Sequence, residues 1–178
     1  AGRDKIEEIY AQIFKAEDSL VRSQLISGSH ALAITLQGLL RPNDTMISIT
    51  GLPYDTLQTV IGIGENPGPS SLKAFGIKYE QIDLKDKEYF DTEKIVERLV
   101  KKDVKLVEIQ RSIGYSTRKS ISIEKVEEII KEIRKVNQEV IIMVDNCYCE
   151  FVIEKEPIEV GADIAVRFIN EKSRSRNC

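Results

Sequence analysis

Several short stretches of this sequence carry residues able to bind a ligand or do chemistry. The sharpest is IIMVDNCYCEF (141–151), an apolar, β-branched run that ends in Asp145 and Asn146. So short a run reads as a strand buried on both faces, as parallel sheets produce. A carboxylate at its tip is costly to desolvate unless a cation or a hydrogen-bond donor meets it. A protonated ring nitrogen of a ligand would do so, and so would the local contacts of a capping or turn Asp assisted by Asn146. SGSH (27–30) puts Gly28 in a tight turn before a helix. The free N–H groups and partial positive charge of a helix N-terminus suit a phosphate, held by Gly28 and Ser29. The plainer reading is a Ser cap with a Gly turn, because the spacing matches neither a P-loop nor a dinucleotide fingerprint. TGLPYDT (50–56) offers Tyr54, either as a platform for a flat ligand or as a packed rim aromatic. QRSIGYSTR (110–118) carries Arg111, Tyr115 and Arg118. Arginine at a strand end suits a carboxylate or phosphate, although a single loop arginine is more often solvated charge.

The lone histidine, His30, reads as a packed helix residue. With no second histidine and no acid cluster, metal-assisted hydrolysis and a Ser-His-Asp triad both lack parts, and no metal site is expected.

These stretches lie in a regular alternation of elements. Residues 3–16 read as a helix with Ile6, Ile9, Tyr10, Ile13 and Phe14 on one face. A more buried helix covers 29–40 and ends at Pro42, TMISIT (45–50) is a strand, and 54–62 is a short helix. GENPGPSS (64–71) is a loop, followed by a helical turn at 72–75 and a strand at 77–84. Asp91 caps a helix reaching Lys101, and KLVEIQ (105–110) is a strand. Ser120 or Ser122 starts a long amphipathic helix to Val136; strands follow at 140–145 and 162–168. Strands separated by helices predict βαβ units: an α/β three-layer sandwich around a mostly parallel sheet. Ligands of such sheets bind at the carboxyl ends of the strands, so the loops after Ile26, Ile49, Gln110 and Val144 should gather.

Composition narrows the function classes. The 178 residues suffice for one domain with a real core, and 42% hydrophobic with 31% charged residues is ordinary for a globular protein. A net charge of −3 gives no footprint for nucleic acid. No stretch approaches the ~18 apolar residues of a membrane span, and no signal peptide opens the chain. Cys147, Cys149 and Cys178 make no disulfide framework, and zinc would lack a second ligand pair. A reduced, cytoplasmic protein without nucleic-acid or membrane partners is expected.

Taken in order, SGSHALAITLQGLLRPND, ITGLPYDTLQTVIGI, SLKAFGIKYEQIDL, IQRSIGYSTRKS and VDNCYCEFVIEKEPIEVGAD resemble the aluminium-resistance-type relatives of methionine gamma-lyase and the cystathionine lyases. These are fold type I enzymes dependent on pyridoxal 5'-phosphate (PLP). The resemblance covers residues 3–164 and implies the large PLP-binding domain over residues 1–166, incomplete at its C-terminal side. It implies that Gly28 and Ser29 hold the cofactor phosphate, Tyr54 stacks on the pyridine, and Asp145 pairs with the protonated pyridine nitrogen. Arg111 would lie near the cofactor or the substrate carboxylate. The implied activity is a carbon–sulfur lyase acting on a small sulfur amino acid, in a homo-oligomer. Ile113 and Thr117 depart from the family pattern, on the substrate side. The other function these loops allow is a non-catalytic α/β module binding a phosphometabolite or nucleotide.

The tail, AVRFINEKSRSRNC, departs from the family, which continues through a strand into Gly-Ser-Leu-x-Lys-Asn-Pro-Gly, with the Schiff-base lysine inside. Back-translating Arg167 to Asn177 with free third positions, and reading one base later, yields Gly-Ser-Leu-Met-Lys-Asn-Pro-Gly-Ala-Gly. Residues 167–178 are therefore expected to be a frameshifted, non-family tail on a truncated chain that lacks its catalytic lysine. Lys172 has neighbours that do not match the motif and is not assigned the role. The coding DNA checks this: removing one base near codon 166 should open a longer frame through the lysine motif.

Overall fold

The structure, a computed structural model, describes residues 2–114 and 116–169. Tyr115 and the tail with Lys172 lie outside the described residues, so the expectations placed on them stand as sequence readings. The helices are α1 (Gly2–Ile13), α2 (Gly28–Leu39), α3 (Asp55–Ile61), α4 (Thr92–Leu99) and α5 (Ile123–Val136). The strands are β1 (Thr45–Ser48), β2 (Lys78–Gln81), β3 (Val104–Gln110), β4 (Ile141–Asp145) and β5 (Ile164–Val166). They form one sheet in the order β2-β1-β3-β4-β5, with every pairing parallel.

Local chemistry sets the helix starts. Ser27, Asp91 and Ser122 each accept a backbone N–H three residues on, from His30, Lys94 and Lys125, satisfying amides that a helix leaves unpaired. Gly62 ends α3 at φ +89°, a left-handed conformation that glycine adopts without strain.

Strand alternation sets the layers. Leu106, together with Met46 and Met143, packs against Leu32, Leu36 and Leu57 of α2 and α3. Val107 and Ile109 point the other way, against Ile95 and Leu99 of α4 and Ile129, Ile130 and Ile133 of α5. A sheet covered on both faces leaves polar groups a place only at the strand ends. The three-layer α/β sandwich read from the alternation is the architecture found.

The chain before Ser27 differs from the sequence reading. It forms no strand, and Ile26 is 77% exposed, so α2 is delivered to the sheet by a loop. The strand read at 77–84 is confined to Lys78–Gln81, an edge with one partner. Leu36 is completely buried, whereas Ile34 on the same helix is 41% exposed. Leu36→Ala should therefore cost about 2–5 kcal/mol. Ile34→Ala should cost under about 1 kcal/mol, the urea midpoints reporting both.

Candidate active site

Parallel registers bring β1, β3 and β4 to a common carboxyl edge, where Gln110 stands opposite Asp145. From that pair a closed circuit of contacts can be traced. The Gln110 side chain accepts from the Tyr54 backbone N–H at 2.7 Å and donates to the Ser112 carbonyl at 3.0 Å. Tyr54 precedes α3, whose Thr56 hydroxyl is hydrogen-bonded to the Ser29 hydroxyl in the first turn of α2. Gly28, beside Ser29, abuts Cys147: a Cβ there would lie 3.0 Å from its Sγ and 3.2 Å from the Phe168 Cβ. The Cys147 backbone N–H in turn donates to Asp145 Oδ1 at 3.0 Å. These contacts link Gly28, Ser29, Tyr54 and Asp145 along the carboxyl edge of the sheet. Gly114 closes over the Tyr54 ring at φ +56°, where a Cβ would sit 3.1 Å from Cδ2. Glycine suits both the backbone conformation and the tight space, where a side chain would be strained.

Within the chain, then, Asp145 meets the Cys147 amide. It is 4% exposed, and among the described residues no cation pairs with it directly. Burial pushes its carboxyl up, while the bonds from Cys147 and the more distant Arg118 guanidinium act the other way. The Cys147 thiol is pushed up by its own burial and by the Asp145 charge, so it is a neutral wall of the cleft.

A second acid, Glu108, escaped the sequence reading. It shares the inward face of β3 with Leu106 and Gln110, is completely buried, and neither carboxyl oxygen has a hydrogen-bond partner. Burial, and then the charge of Asp145, push it up to about 7. Its signal was available: a charged residue inside KLVEIQ has to point somewhere, and the period of two aims it with Gln110. Arg118 is the cation for both acids. It donates to the Gln110 carbonyl at 2.7 Å and the Ser112 carbonyl at 2.5 Å, and its guanidinium is itself lowered by burial.

Arg111 is not brought to this group. Its Nη1 donates to Asn146 Oδ1 at 2.6 Å and its Nε to the Ile121 carbonyl at 3.2 Å, towards α5. One residue past the end of β3, it follows Val107 and Ile109 onto the face opposite Glu108. There it braces the turn after Asp145. His30 keeps a buried Nδ1 without a partner. A groove of about 870 Å³ lies elsewhere, between α1, α2 and β5, and neither Tyr54 nor Asp145 lines it. No group of metal-ligating side chains is gathered among the described residues.

The fold is shared with YhfS of Escherichia coli, a protein described as pyridoxal-5'-phosphate dependent, which superposes with a TM-score of 0.67 at 16% identity, over 92% of this chain and 38% of its own. The chain belongs to the methionine gamma-lyase family, whose family model matches residues 1–172. The Bacillus subtilis protein YnbB is 47% identical over 165 residues, 92% of this chain and 38% of YnbB. The crystal structure of a carbon–sulfur lyase involved in aluminium resistance from Clostridium novyi NT matches at 45% identity with a TM-score of 0.86, over 92% of this chain and 39% of that one. The chain thus spans about two fifths of the length of these relatives. The family read from the ordered motifs is the one matched.

Glu108 makes the fold sensitive to pH. Its folded value, about 7, lies above the ordinary 4.5, so between those limits the folded state binds more protons than the unfolded one. Stability from this group is complete at the acid end and falls as pH rises from about 4.5 through about 7. The loss is on the order of 3 kcal/mol. Glu108→Gln should flatten that slope in urea melts recorded across this range.

Proposed function

We propose that this chain is the cofactor-holding core of a PLP-dependent carbon–sulfur lyase acting on a sulfur amino acid. The observation carrying the proposal is the closed circuit from Ser29 through Thr56, Tyr54, Gln110, Asp145 and Cys147 back to Gly28. It links a helix N-terminus, the residue carrying an aromatic ring and a buried carboxyl along one edge of the sheet. Those parts match the phosphate, the flat ring and the protonated nitrogen of a phosphorylated pyridine.

The twelve-residue helix α2 would receive the phosphate on the amides of Gly28 and Ser29, where its dipole favours an anion. A Cβ at position 28 would press on Cys147 and Phe168, and a larger side chain would press harder. Tyr54, its backbone held by Gln110, would lie against the ring. Asp145 would hold a proton on the ring nitrogen. With an accepted N–H on Oδ1 and little water, it has every reason to take a cationic partner. The bound cofactor supplies an electron sink for carbanion chemistry at an amino acid. Lys172 is not assigned the attachment role, so the chain's own affinity would rest on phosphate, ring and nitrogen contacts. Self-association also belongs to the proposal, because α1 leaves Ile6, Ile9 and Ile13 more than 40% exposed and, among the described residues, β5 is an edge strand.

Titration of the chain with PLP, followed by cofactor absorbance and tyrosine fluorescence, tests the proposal. Saturable binding is expected. It should weaken about tenfold or more in Asp145→Ala and Gly28→Val, each a loss of one good interaction. Pyridoxal without its phosphate should bind equally poorly to the parent chain and to Gly28→Val. Binding that ignores both substitutions sinks the assignment.

A further inference from the structure

Glu108 has no part in the roles above, yet its surroundings are specific. It pairs with Ser48 across β1 and with Met143 across β4, so Asp145 is its diagonal neighbour on the same face. Side chains in that relation share one face of the sheet, within Coulomb range of each other. Ser48 is the neighbouring hydroxyl: it opposes the upward push of burial on Glu108, but its proton is directed to the Gly51 carbonyl at 2.8 Å. Both Glu108 oxygens are buried, and no N–H reaches either of them. Asp145, in contrast, accepts the Cys147 N–H. Two acids and one shared guanidinium, Arg118, sit in a space with almost no water.

We propose that Glu108 is a positioning residue for Asp145: the two carboxyls hold one proton between them, Glu108 keeping it and Asp145 carrying the charge. The division follows from the donors, since the carboxylate belongs where an N–H meets it and the neutral acid where none does. The floor of the cleft then offers one negative charge to one cationic ring nitrogen. A second ionised carboxylate in the same dry space is resisted by its neighbour. This deepens the cofactor reading and rests on it only for the identity of the cation.

The other titratable groups on the elements packed here are His30 of α2, Asp55 of α3, Tyr79 and its flanking Lys78 and Glu80 on β2, and Cys147 after β4. Of these, Tyr79 feels Glu108 most plainly: after burial, the Glu108 charge is the next cause of its raised hydroxyl. Cys147 stays neutral, and Lys78 and Glu80 follow an edge strand with exposed or half-exposed side chains.

The test is a carboxyl carbon-13 NMR titration of the ligand-free full chain with labelled Asp and Glu. One Glu resonance should titrate near neutrality and vanish in Glu108→Gln. In Asp145→Asn its midpoint should fall by about one pH unit or more, since the like charge is gone. The parent spectrum guards against a variant that fails to fold, because the Asp145 resonance must itself show a step at the Glu108 midpoint. A Glu108 that titrates in the ordinary carboxylate range overturns the pair, as does an Asp145 resonance blind to that step. Because no ligand is present, failure of PLP to bind would fell the cofactor assignment and leave this result standing.

Discussion

Asp145 is a carboxylate held almost out of water at the end of a buried strand, and much of the surrounding structure answers to that condition. Desolvating a carboxylate costs several kcal/mol unless donors replace the lost water. The chain supplies one amide, by turning sharply after β4 so that Cys147 N–H reaches back to Oδ1. The turn is braced by Arg111, which holds Asn146 through its side-chain carbonyl. It places Cys147 against Gly28, and so fixes where the N-terminus of α2 arrives. One carboxylate thereby ties together the end of β4, the loop after β3 and the start of α2.

The same condition explains the polar line along β3. A strand covered by helices on both faces should be apolar throughout, yet Glu108 and Gln110 interrupt it on the α2 side. Gln110 is fully used: its amide spans Tyr54 and Ser112, and its backbone N–H donates to the Thr50 hydroxyl at 3.1 Å. Glu108 is not used in this way. An isosteric apolar side chain would pack there without the desolvation term, so its presence beside Asp145 marks a site where stability gives way to electrostatics.

Much of this was legible in the residues. Alternating apolar runs gave the α/β class, and the ends of β1, β3 and β4 pointed to the loops that gather. Gly28, Ser29, Tyr54 and Asp145 each allowed a plainer reading alone, and it was the ordered resemblance that grouped them. Two things were not legible. Which way a strand residue points depends on register, so Glu108 read as strand and Arg111 as a site residue. In the structure the period of two sends them to opposite faces. The approach of α2 was also hidden. Residues 21–26 are apolar enough to suggest extension, but no partner strand lies within reach, and Ile26 remains in water.

The geometry also weighs one class of ligand against another. The proposed site is polarised: the N-terminus of α2 brings partial positive charge to one side, and the buried Asp145 carboxyl lies on the other. A nucleotide would satisfy the first end with its phosphate. The N–H groups of its neutral base would donate to the carboxylate, but the base brings no positive charge to that end. A phosphorylated pyridine answers both ends, because its ring nitrogen accepts a proton and becomes the cation that Asp145 lacks. Its negative phosphate and positive ring then lie along the field of the cleft rather than across it. On charge alone, the buried acid favours the pyridine over a nucleotide-binding module.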